Sequence, residues 1–573
     1  MMKANSKISG PRGLGALAAT LAIAVAFSWS IRTSAADTVL LAGRVTSSAG
    51  DPVWGIPIRA HLEKSNVTVS VYTNAEGEYS FPEWSALVPG AYTVAIQLPD
   101  FIPLTRDGVT LSSGKTTRLD LTLQPRQPSI NDATASEIAM AMPGTEEQKF
   151  FLTQCDQCHS LQFALHTART REGWLQVVRR MAGAARASED PPSTKAFDQK
   201  KYIEPMADYL TSIRGPGSSG DIPFKPRPRP SGEASARIVV TEYDVPRGGH
   251  PDLMITRGDR RFSWPHDVLI DPDGEHVWYT DHFTNVLGRL NRKTGEIREI
   301  PFTVTGRMGR DSADDPTRPG DGRAGNPGGG SHKIAFLPDG NIVFGISGGT
   351  VIFNPKTEEF KIWPSGSVMF GVDPAGNVWY IGRGLNRLNP KTGEVKSWPA
   401  PPNAGGYDVD VDSQGRFVYN GWRTAKIGIF DSKTERFDEY PLPTPGSGPR
   451  RGEFDAKDRY WTALYWGGWL ASFDANTRQI REFPLLPDVK PFGAPFLAPY
   501  SASVDERYQL IWTTDLNSSR IFRFDMKTER ATEFVMPAPY ESRDIKVDRY
   551  AARPTVWIPA YRPPSKIVKL EVW

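Results

Sequence analysis

The chain has 573 residues, of which 39% are hydrophobic and 23% charged, a balance typical of globular proteins that excludes a disordered or fibrous chain. Its 52 glycines, 49 prolines and 11% aromatic residues favour a turn-rich, mainly β protein. The formal net charge of +3 offers no basic field for nucleic acid, so we expect no nucleic-acid partner.

The first 36 residues have the pattern of a secretory signal peptide. Residues 1–12 are polar and basic, residues 13–28 are apolar, and residues 33–36 are small, as at a cleavage site. The pattern predicts a periplasmic or secreted protein, and an uncleaved N-terminal anchor is the alternative. Later apolar segments are too short to cross a bilayer, so we expect no membrane span after signal cleavage.

Residues 38–125 show runs of alternating apolar and polar residues that are broken by Gly, Pro, Asn and Asp. This pattern predicts short strands that form a small β-sandwich. The segment resembles the carboxypeptidase regulatory-like domain. The matching sequences are GRV at 43–45, GIP at 55–57, TNAEGEY at 73–79 and PGAY at 89–92. The resemblance implies a module that binds or spaces other domains and carries no chemistry of its own.

The sequence changes character after this β region. A polar linker at 126–136 leads into residues 137–214, whose pattern predicts helices. A linker rich in Pro, Gly and Ser follows at 215–236 and is predicted to be semi-rigid. The helical part is therefore expected to be a separate domain between two β regions.

The predicted helical part contains the sequence CDQCH at 155–159, here called the CDQCH segment. Cys155 and Cys158 are the only cysteines of the chain, and His159 follows them directly. This spacing is typical of c-type haem attachment. Each thiol adds to one vinyl group of the same porphyrin, and the histidine binds the iron from below. The motif predicts covalent haem c, with His159 as the proximal iron ligand.

With this motif, residues 137–214 resemble a small class I cytochrome c, which implies a helical cytochrome c domain. Met181 lies in the sequence WLQVVRRM, which resembles the pattern of compact cytochromes whose methionine is the second axial ligand. Met181 also continues a helical stripe with Trp174, a position typical of a core residue. Met206 and His166 are the alternative sixth ligands, and an open sixth site is a further alternative.

Residues 237–573 repeat a unit of about 40 residues with four strand-like segments, which predicts a β-propeller. Six repeats are complete. The seventh combines strands ending at 566–572 with an outer strand at 240–246, so we expect the ring of seven blades to close where the chain ends meet. A long insertion at 303–331 predicts a loop over one face. The recurring turn threonines are Thr294, Thr357, Thr392, Thr434, Thr477 and Thr528, and the strand-closing prolines are Pro301, Pro364, Pro399, Pro441, Pro484 and Pro537.

Equivalent positions of a propeller form rings around its axis, and one such ring begins the innermost strands. Its members are His266, His332, Val368, Tyr407, Arg450, Tyr500 and Arg543. Two carboxylates end second strands on the same face. We therefore expect a candidate catalytic site at the mouth of the channel, facing a small-molecule substrate or a redox partner protein. The candidate catalytic residues are His266, Asp281, His282, His332 and Asp515. The alternative is that these polar side chains only cap a water-filled channel.

The propeller, above all its first blade, resembles the streptogramin B lyase (virginiamycin B lyase) family. The matching sequences are PHDV at 265–268, DPDG at 271–274, VWYTD at 277–281 and LGRL at 287–290. The resemblance implies a propeller fold and elimination at an ester linkage by a histidine base, with Mg²⁺ held by acidic residues of late blades. This chain departs from that pattern, because no histidine follows His332 and Asp515 is the only matching late carboxylate.

These features together predict a periplasmic or secreted c-type haem protein in electron transfer or haem-linked oxidoreduction, with the propeller as the module that binds a substrate or partner. A lyase with a redox or regulatory cytochrome domain is the first alternative. A non-enzymatic binding scaffold is the second. Reduction of the haem by a substrate would favour the first function, and Mg²⁺-dependent ester elimination would favour the lyase.

Overall fold

The computed structural model describes residues 40–85, 87–157, 159–188, 202–220, 222–230, 232–249, 261–304, 330–382, 384–402, 404 and 406–573. Within these ranges the side chains at 157 and 182–188 are not described. The predicted signal peptide, Cys158 and most of the predicted loop at 303–331 lie outside the described residues.

The N-terminal strands form a sandwich of two sheets, as the sequence predicts. They are β1 (Leu41–Ser47), β2 (Pro57–Leu62), β3 (Val67–Tyr72), β4 (Glu78–Ser80), β5 (Gly90–Ile96), β6 (Leu104–Leu111), β7 (Thr117–Arg118) and β8 (Leu121–Leu123). One sheet has the order β4-β1-β7, with β8 also pairing with β1, and the other contains β3-β2-β5-β6. Alternating residues such as Ile58, Val94 and Leu121 point inward and share one buried core.

The described part of the chain contains six α-helices. They are α1 (Ala135–Ala141), α2 (Glu146–Thr153), α3 (Leu161–Leu165), α4 (Arg171–Ser188), α5 (Glu204–Arg214) and α6 (Glu233–Ala236), with 3-10 turns at Ile130–Asp132 and Gln154–Gln157. Capping boxes begin α1 at Thr134 and α2 at Thr145. The described residues of 130–214, here called the helical segment, pack around a core that includes Leu152, Trp174 and Leu210.

Six four-stranded antiparallel sheets follow in sequence order, and the last three strands together with one early strand make the seventh blade of a propeller. Blades 1 to 3 are β10 (Pro265–Ile270), β11 (His276–Asp281), β12 (Val286–Asn291), β13 (Ile297–Pro301); β14 (Ile334–Phe336), β15 (Ile342–Ile346), β16 (Gly349–Asn354), β17 (Glu359–Trp363); β18 (Gly371–Val372), β19 (Val378–Ile381), β20 (Leu385–Leu388), β21 (Val395–Trp398). Blades 4 to 6 are β22 (Val409–Val411), β23 (Arg416–Gly421), β24 (Lys426–Asp431), β25 (Arg436–Pro441); β26 (Pro449–Phe454), β27 (Arg459–Leu464), β28 (Trp469–Asp474), β29 (Ile480–Pro484); β30 (Pro499–Asp505), β31 (Leu510–Asp515), β32 (Arg520–Asp525), β33 (Arg530–Val535). Blade 7 is β34 (Lys546–Val547), β35 (Thr555–Ala560), β36 (Lys566–Val572) and the early strand β9 (Ile238–Asp244).

The innermost strands close the ring. Strands β18, β22, β26, β30 and β34 contact one another in that order, and β34 contacts β10, which contacts β14. The ring therefore joins the first blade to the seventh, as the sequence predicts.

The repeated Asx-x-x-Thr sequences form the turns between the third and fourth strands. In blade 1 the side-chain oxygen of Asn291 accepts hydrogen bonds from the backbone N–H groups of Lys293 and Thr294 at 3.0 and 3.1 Å. Asp525 makes the equivalent pair of bonds in blade 6. Gly295 follows with a φ of 79°, a conformation that glycine adopts without steric cost. The repeat is thus a turn signal with a hydrogen-bonding cause.

Strand β9 closes the seventh blade and also joins it to the sandwich. One edge of β9 pairs with the C-terminal strand β36, beginning with Asp244 opposite Lys566. The other edge pairs with β3, so the blade and one sheet of the sandwich form a continuous eight-stranded sheet, β34-β35-β36-β9-β3-β2-β5-β6. The fully buried carboxylate of Glu242 on β9 forms an ion pair with Arg59 on β2 at 3.0 Å. By pairing with β9, the sandwich therefore satisfies backbone N–H and C=O groups that would otherwise be unpaired at the edge of blade 7.

The helical segment packs on the face of the propeller that carries the mouth. The backbone N–H of Ser136 donates to the carbonyl oxygen of Asn517 at 2.9 Å, and its hydroxyl donates to that of Pro495 at 2.6 Å. The rings of Phe150 and Phe492 are 5.5 Å apart. Asn517 follows the second strand of blade 6, at the end of the blade where the mouth residues are predicted. No helix among the described residues is both long and apolar enough to cross a bilayer.

Candidate functional site

Three histidines meet at the mouth of the propeller. His266 lies in β10, His282 directly follows β11, and His332 lies just before β14. Their side chains are 0%, 6% and 5% exposed, and their ring centroids are 4.0 to 5.0 Å apart. The register of β10 against β11 shifts between Pro265 and Val268, so His266 lies in a bulge, a feature that re-aims side chains. The structure thus brings together three of the five candidate catalytic residues.

A threonine of β11 fixes the backbone around these histidines. The hydroxyl of Thr280 donates to the carbonyl oxygen of His332 at 2.8 Å and accepts from the backbone N–H of Asp267 at 3.3 Å. One buried hydroxyl therefore connects the innermost strand of blade 1 to the segment that enters blade 2. This explains why histidines from two blades have fixed relative positions.

Polar partners orient two of the rings. Nδ1 of His266 lies 2.6 Å from a carboxylate oxygen of Asp267, which is also ion-paired with the buried guanidinium of Arg451. Nδ1 of His282 lies 2.7 Å from the hydroxyl of Tyr561. In both rings the contact is made through Nδ1, which directs Nε2 toward the cluster.

The mouth continues into an aromatic cage around Arg450. Its guanidinium carbon is 3.8 to 4.4 Å from the ring centroids of four aromatic side chains, which are Tyr407, Trp422, Tyr465 and Tyr500. Nη2 also donates to the hydroxyl of Tyr500 at 3.0 Å. Such stacking stabilises the cation away from water. The late blades therefore present a buried cation at the mouth.

The two carboxylates predicted for the site have structural partners within their own blades. Asp281 accepts from the backbone N–H groups of Trp264, Phe283 and Thr284 at 3.0 to 3.2 Å. Burial raises its pKa above the ordinary value. These bonds hold the turn after β11, so both carboxylate oxygens of Asp281 are directed at backbone.

Asp515 repeats this arrangement in blade 6. It accepts from the backbone N–H of Ala498 at 2.7 Å and from the backbone N–H and hydroxyl of Ser518 at 2.8 and 2.7 Å. Burial raises its pKa to about 6, although these hydrogen bonds oppose the rise. The structure gives Asp515 the same turn-holding contacts as Asp281 and does not join it to the histidine cluster.

The CDQCH segment begins where α2 ends. Cys155 lies in the 3-10 turn Gln154–Gln157 and packs, half-buried, against the core of the helical segment. Nδ1 of His159 lies 3.1 Å from the carbonyl oxygen of Ser160, so the ring donates through Nδ1 and its Nε2 keeps a lone pair. Burial lowers the pKa of His159, which favours the neutral imidazole that metal ligation needs.

The CDQCH segment is bonded directly to the propeller. Nη2 of Arg562 donates to the backbone oxygen of Asp156 at 2.7 Å, and Nη1 lies 3.5 Å from its carboxylate. Burial raises the pKa of Asp156 to about 7, although Arg562 opposes the rise. Arg562 also pairs with Glu541 at 2.6 Å, and Glu541 in turn pairs with Arg543. Trp466 adds a second bridge, because its Nε1–H donates to the side-chain oxygen of Gln154 at 3.1 Å.

The candidates for a second axial ligand differ in exposure. Met181 is 36% exposed on α4, whereas Trp174 and Val178 of the same helix are buried. Met206 is half-buried against the core of the helical segment, and His166 is exposed just after α3. Met181 therefore does not have the core position that its helical stripe suggests.

Several residues of the site have no counterpart in the sequence-based prediction. One group follows the predicted mouth ring by one residue and forms buried ion pairs, among them Arg451 with Asp267 and Lys333 with Asp408. Reading the repeat one position further would have found it. Arg562 had no such signal, because it lies in an irregular loop of blade 7.

The comparisons with known proteins bear on two regions. Residues 41–124 match the family model of the carboxypeptidase regulatory-like domain, which confirms the resemblance of the N-terminal region. A search of curated proteins gave no match. Among solved structures, a streptogramin B lyase is similar at 18% identity over 60% of this chain and 100% of that chain, with a TM-score of 0.47. The selenomethionine-substituted virginiamycin B lyase from Staphylococcus aureus matches at 17% identity over 54% and 96%, with a TM-score of 0.43. The WD40 repeats of RRP9 match at 11% identity over 55% and 96%, with a TM-score of 0.42.

Proposed function

We propose that the protein is an exported c-type haem protein that transfers electrons. Haem is attached at Cys155 and Cys158, with the imidazole of His159 as the proximal iron ligand. The observation that carries the proposal is that Arg562 fixes the CDQCH segment to the mouth of the propeller. Bound haem supplies reversible one-electron chemistry at this point.

The described residues of the segment fit such a group. The donor set is a thiol, which can form a thioether, and a neutral imidazole whose Nδ1 is already engaged by the carbonyl oxygen of Ser160. Several half-buried apolar side chains lie in the helical segment, and a porphyrin is a flat apolar group that such side chains cover. They are Phe151, Val177, Tyr202 and Met206. The rings of Phe151 and Tyr202 are 4.8 Å apart.

Contacts at the interface give the docking its specificity. Asp156 and Arg562 are both largely buried, so breaking their ion pair costs a substantial amount of free energy. The next residue along the chain from Arg562, Tyr561, contacts His282 of the histidine cluster. Two adjacent residues thus link the CDQCH segment to the candidate site.

The mouth supplies the binding surface in this proposal. Arg450 in its aromatic cage and Arg543 beside Glu541 present cationic and aromatic groups. Such groups recognise an anionic or aromatic small molecule, or an acidic patch of a redox partner protein. We propose that a ligand bound at this mouth would exchange electrons with a haem held by Cys155, Cys158 and His159. Export to the periplasm or the exterior is part of the same proposal, because haem of this type is attached in that compartment.

The test is expression of the full chain with its leader in cells that carry the c-type haem maturation system. The expected result is protein whose intact mass under denaturing conditions is increased by one haem. A second readout is reduction of this haem by candidate donors, followed by its absorbance.

The control is the double variant Cys155→Ala with Cys158→Ala, which removes both attachment thiols. It is expected to fold with unchanged β circular dichroism and to carry no covalent haem. Folded wild-type protein without covalent haem would contradict the proposal, and so would haem retained by the double variant. Mg²⁺-dependent ester elimination without haem reduction would instead favour the lyase alternative.

A further inference from the structure

The histidine cluster, which is His266, His282 and His332, has no role in haem attachment. The three residues each offer a ring nitrogen, and these atoms all lie within 4.8 Å of one another. All three side chains are buried, and they come from three separate stretches of two blades. Imidazoles that converge from separate elements inside a protein are the usual composition of a metal site.

Two of the three imidazole rings are oriented by a hydrogen bond through Nδ1, as is usual for histidines that bind a metal through Nε2. In metal sites a ligating histidine donates its other N–H to a carboxylate, a carbonyl or a hydroxyl group, which orients the ring. His266 has this arrangement with Asp267 at 2.6 Å. His282 has it with the hydroxyl of Tyr561 at 2.7 Å. Nε2 of each of these two rings is then the nitrogen that would bind an ion.

One distance within the cluster matches a shared ion. Nε2 of His282 and Nε2 of His332 are 3.1 Å apart. Two nitrogens bound about 2.0–2.1 Å from one metal, at angles between square-planar and tetrahedral, are about 2.8 to 3.4 Å apart. The observed separation therefore needs no rearrangement of these two rings.

We propose that His266, His282 and His332 bind one divalent first-row transition metal. Three imidazoles without a carboxylate or a thiolate suit Cu²⁺ and Zn²⁺, whereas Mg²⁺ selects oxygen ligands. Of the carboxylates around the cluster, Asp281 is held by backbone N–H groups, and Asp267 is engaged by His266 Nδ1 and Arg451. The order of stabilities for such a site places Cu²⁺ above Zn²⁺. This ion is separate from the Mg²⁺ that the lyase resemblance implies.

Two arginines beside the histidine cluster are paired with carboxylates, which lowers the electrostatic cost of binding a cation there. Arg451 is paired with Asp267 and lies 3.4 Å from Asp544. Arg543, whose guanidinium carbon is 4.0 Å from the ring centroid of Tyr561, is paired with Glu541. Arg451 and Arg543 therefore each have a carboxylate partner, whereas the aromatic cage holds Arg450.

The test uses the purified full chain, treated with a chelator, dialysed, and then titrated with Cu²⁺ and with Zn²⁺. The expected results are one bound metal per chain, tighter for Cu²⁺, and an electron paramagnetic resonance spectrum of Cu²⁺ with nitrogen hyperfine coupling. His332→Gln is expected to abolish this binding. His276→Gln is the matched control, because His276 lies in blade 1 with His266 and His282 but bonds to Asp273 in an exposed turn. Tyr561→Phe is expected to weaken binding about 10- to 100-fold.

Wild-type protein that folds but binds no Cu²⁺ would overturn the proposal and leave a hydrogen-bonded histidine cluster only. If His332→Gln does not fold, the nitrogen coupling in the wild type decides the question. The double variant Cys155→Ala with Cys158→Ala must keep the metal. Loss of the metal in that variant would place it at the CDQCH segment and contradict the assignment. The outcome is thus independent of whether haem is attached.

Discussion

Arg562 donates to the backbone oxygen of Asp156 at 2.7 Å, across 406 residues of sequence. The same guanidinium pairs with Glu541 at 2.6 Å, so one side chain holds the CDQCH segment and a carboxylate of the mouth together. The relationship ties the motif with the clearest chemistry to the part of the propeller that carries the candidate site.

Replacing this arginine is expected to destabilise the docked arrangement. In Arg562→Gln, Asp156 loses the cation that offsets its burial, whereas Glu541 retains Arg543, and breaking a buried pair typically costs about 3–5 kcal/mol. The measurement is the free energy of unfolding from urea denaturation, together with limited proteolysis of the helical segment. Arg481→Gln is the control, because Arg481 pairs with Glu529 at an exposed site, and its change should stay within about 1 kcal/mol. An Arg562→Gln variant as stable as this control would mean that the contact does not hold the segment.

The join between the sandwich and the seventh blade is expected to depend on Arg59. In Arg59→Gln the buried carboxylate of Glu242 loses its ion pair with Arg59 and retains the longer one with Lys566 at 3.6 Å, so the cost should be at most the about 3–5 kcal/mol that is typical of a broken buried pair. Thermal unfolding of the full chain measures the effect. Arg118→Gln, in the same sandwich, removes an exposed pair with Asp120 and should cost less than about 1 kcal/mol. Equal melting temperatures for the two variants would contradict this account of the join.

Because the pKa of Asp515 is raised in the folded protein, its contribution to the free energy of unfolding should decrease as the pH rises. Its pKa rises from the ordinary 3.8 to about 6 because of burial, so the folded state binds the proton more tightly than the unfolded state. The resulting stability is present below pH 4 and is lost as the pH rises through 6. The free energy of unfolding of the wild type should therefore exceed that of Asp515→Asn most at pH 4, and the excess should shrink toward pH 7.

Asp525 supplies a control of opposite sign. Hydrogen bonds from the backbone of Thr528 and Lys527 lower the pKa of this exposed turn carboxylate. Its contribution is present above the unfolded pKa and is lost as the pH falls. The deficit of Asp525→Asn should therefore grow between pH 3 and pH 5. If both variants show the same trend, burial is not the cause of the Asp515 shift.

The propeller and the sandwich could be predicted from the sequence because their signals are local and repeated. The Asn291 turn has a side-chain cause that recurs in six blades, and β9 has the same strand-closing pattern as the other outer strands. The meeting of His266, His282 and His332 also followed from the register of the repeat. Each of these features depends on neighbouring residues or on symmetry.

The docking of the three regions could not be predicted in this way. The pairing of β9 with β3 and the bond from Arg562 to Asp156 join segments that are far apart in sequence, and neither has a repeat that fixes a register. The turn-holding role of Asp281 and Asp515 was also missed, since a carboxylate at the end of a strand has the same sequence signal in a site and in a turn.

Replacing Met181 tests the prediction that its thioether is the second axial ligand of the haem iron. Met181→Ala is expected to open the sixth coordination position, so that the ferrous haem of the variant binds carbon monoxide. Met206→Ala is the matched control and should leave the spectrum unchanged by carbon monoxide. If the two variants behave in the opposite way, Met206 is the ligand. If neither binds carbon monoxide, His166 is the remaining candidate.

The most direct test of the account is the visible spectrum of the exported wild-type protein, recorded oxidised, reduced, and reduced with carbon monoxide. We expect a low-spin ferrous c-type spectrum that carbon monoxide does not change, because a haem iron with two axial ligands has no position for carbon monoxide. Folded protein without any haem absorbance would contradict the central claim that the CDQCH segment carries haem. A spectrum that shifts with carbon monoxide would contradict the electron-carrier function and make the haem itself the reactive centre.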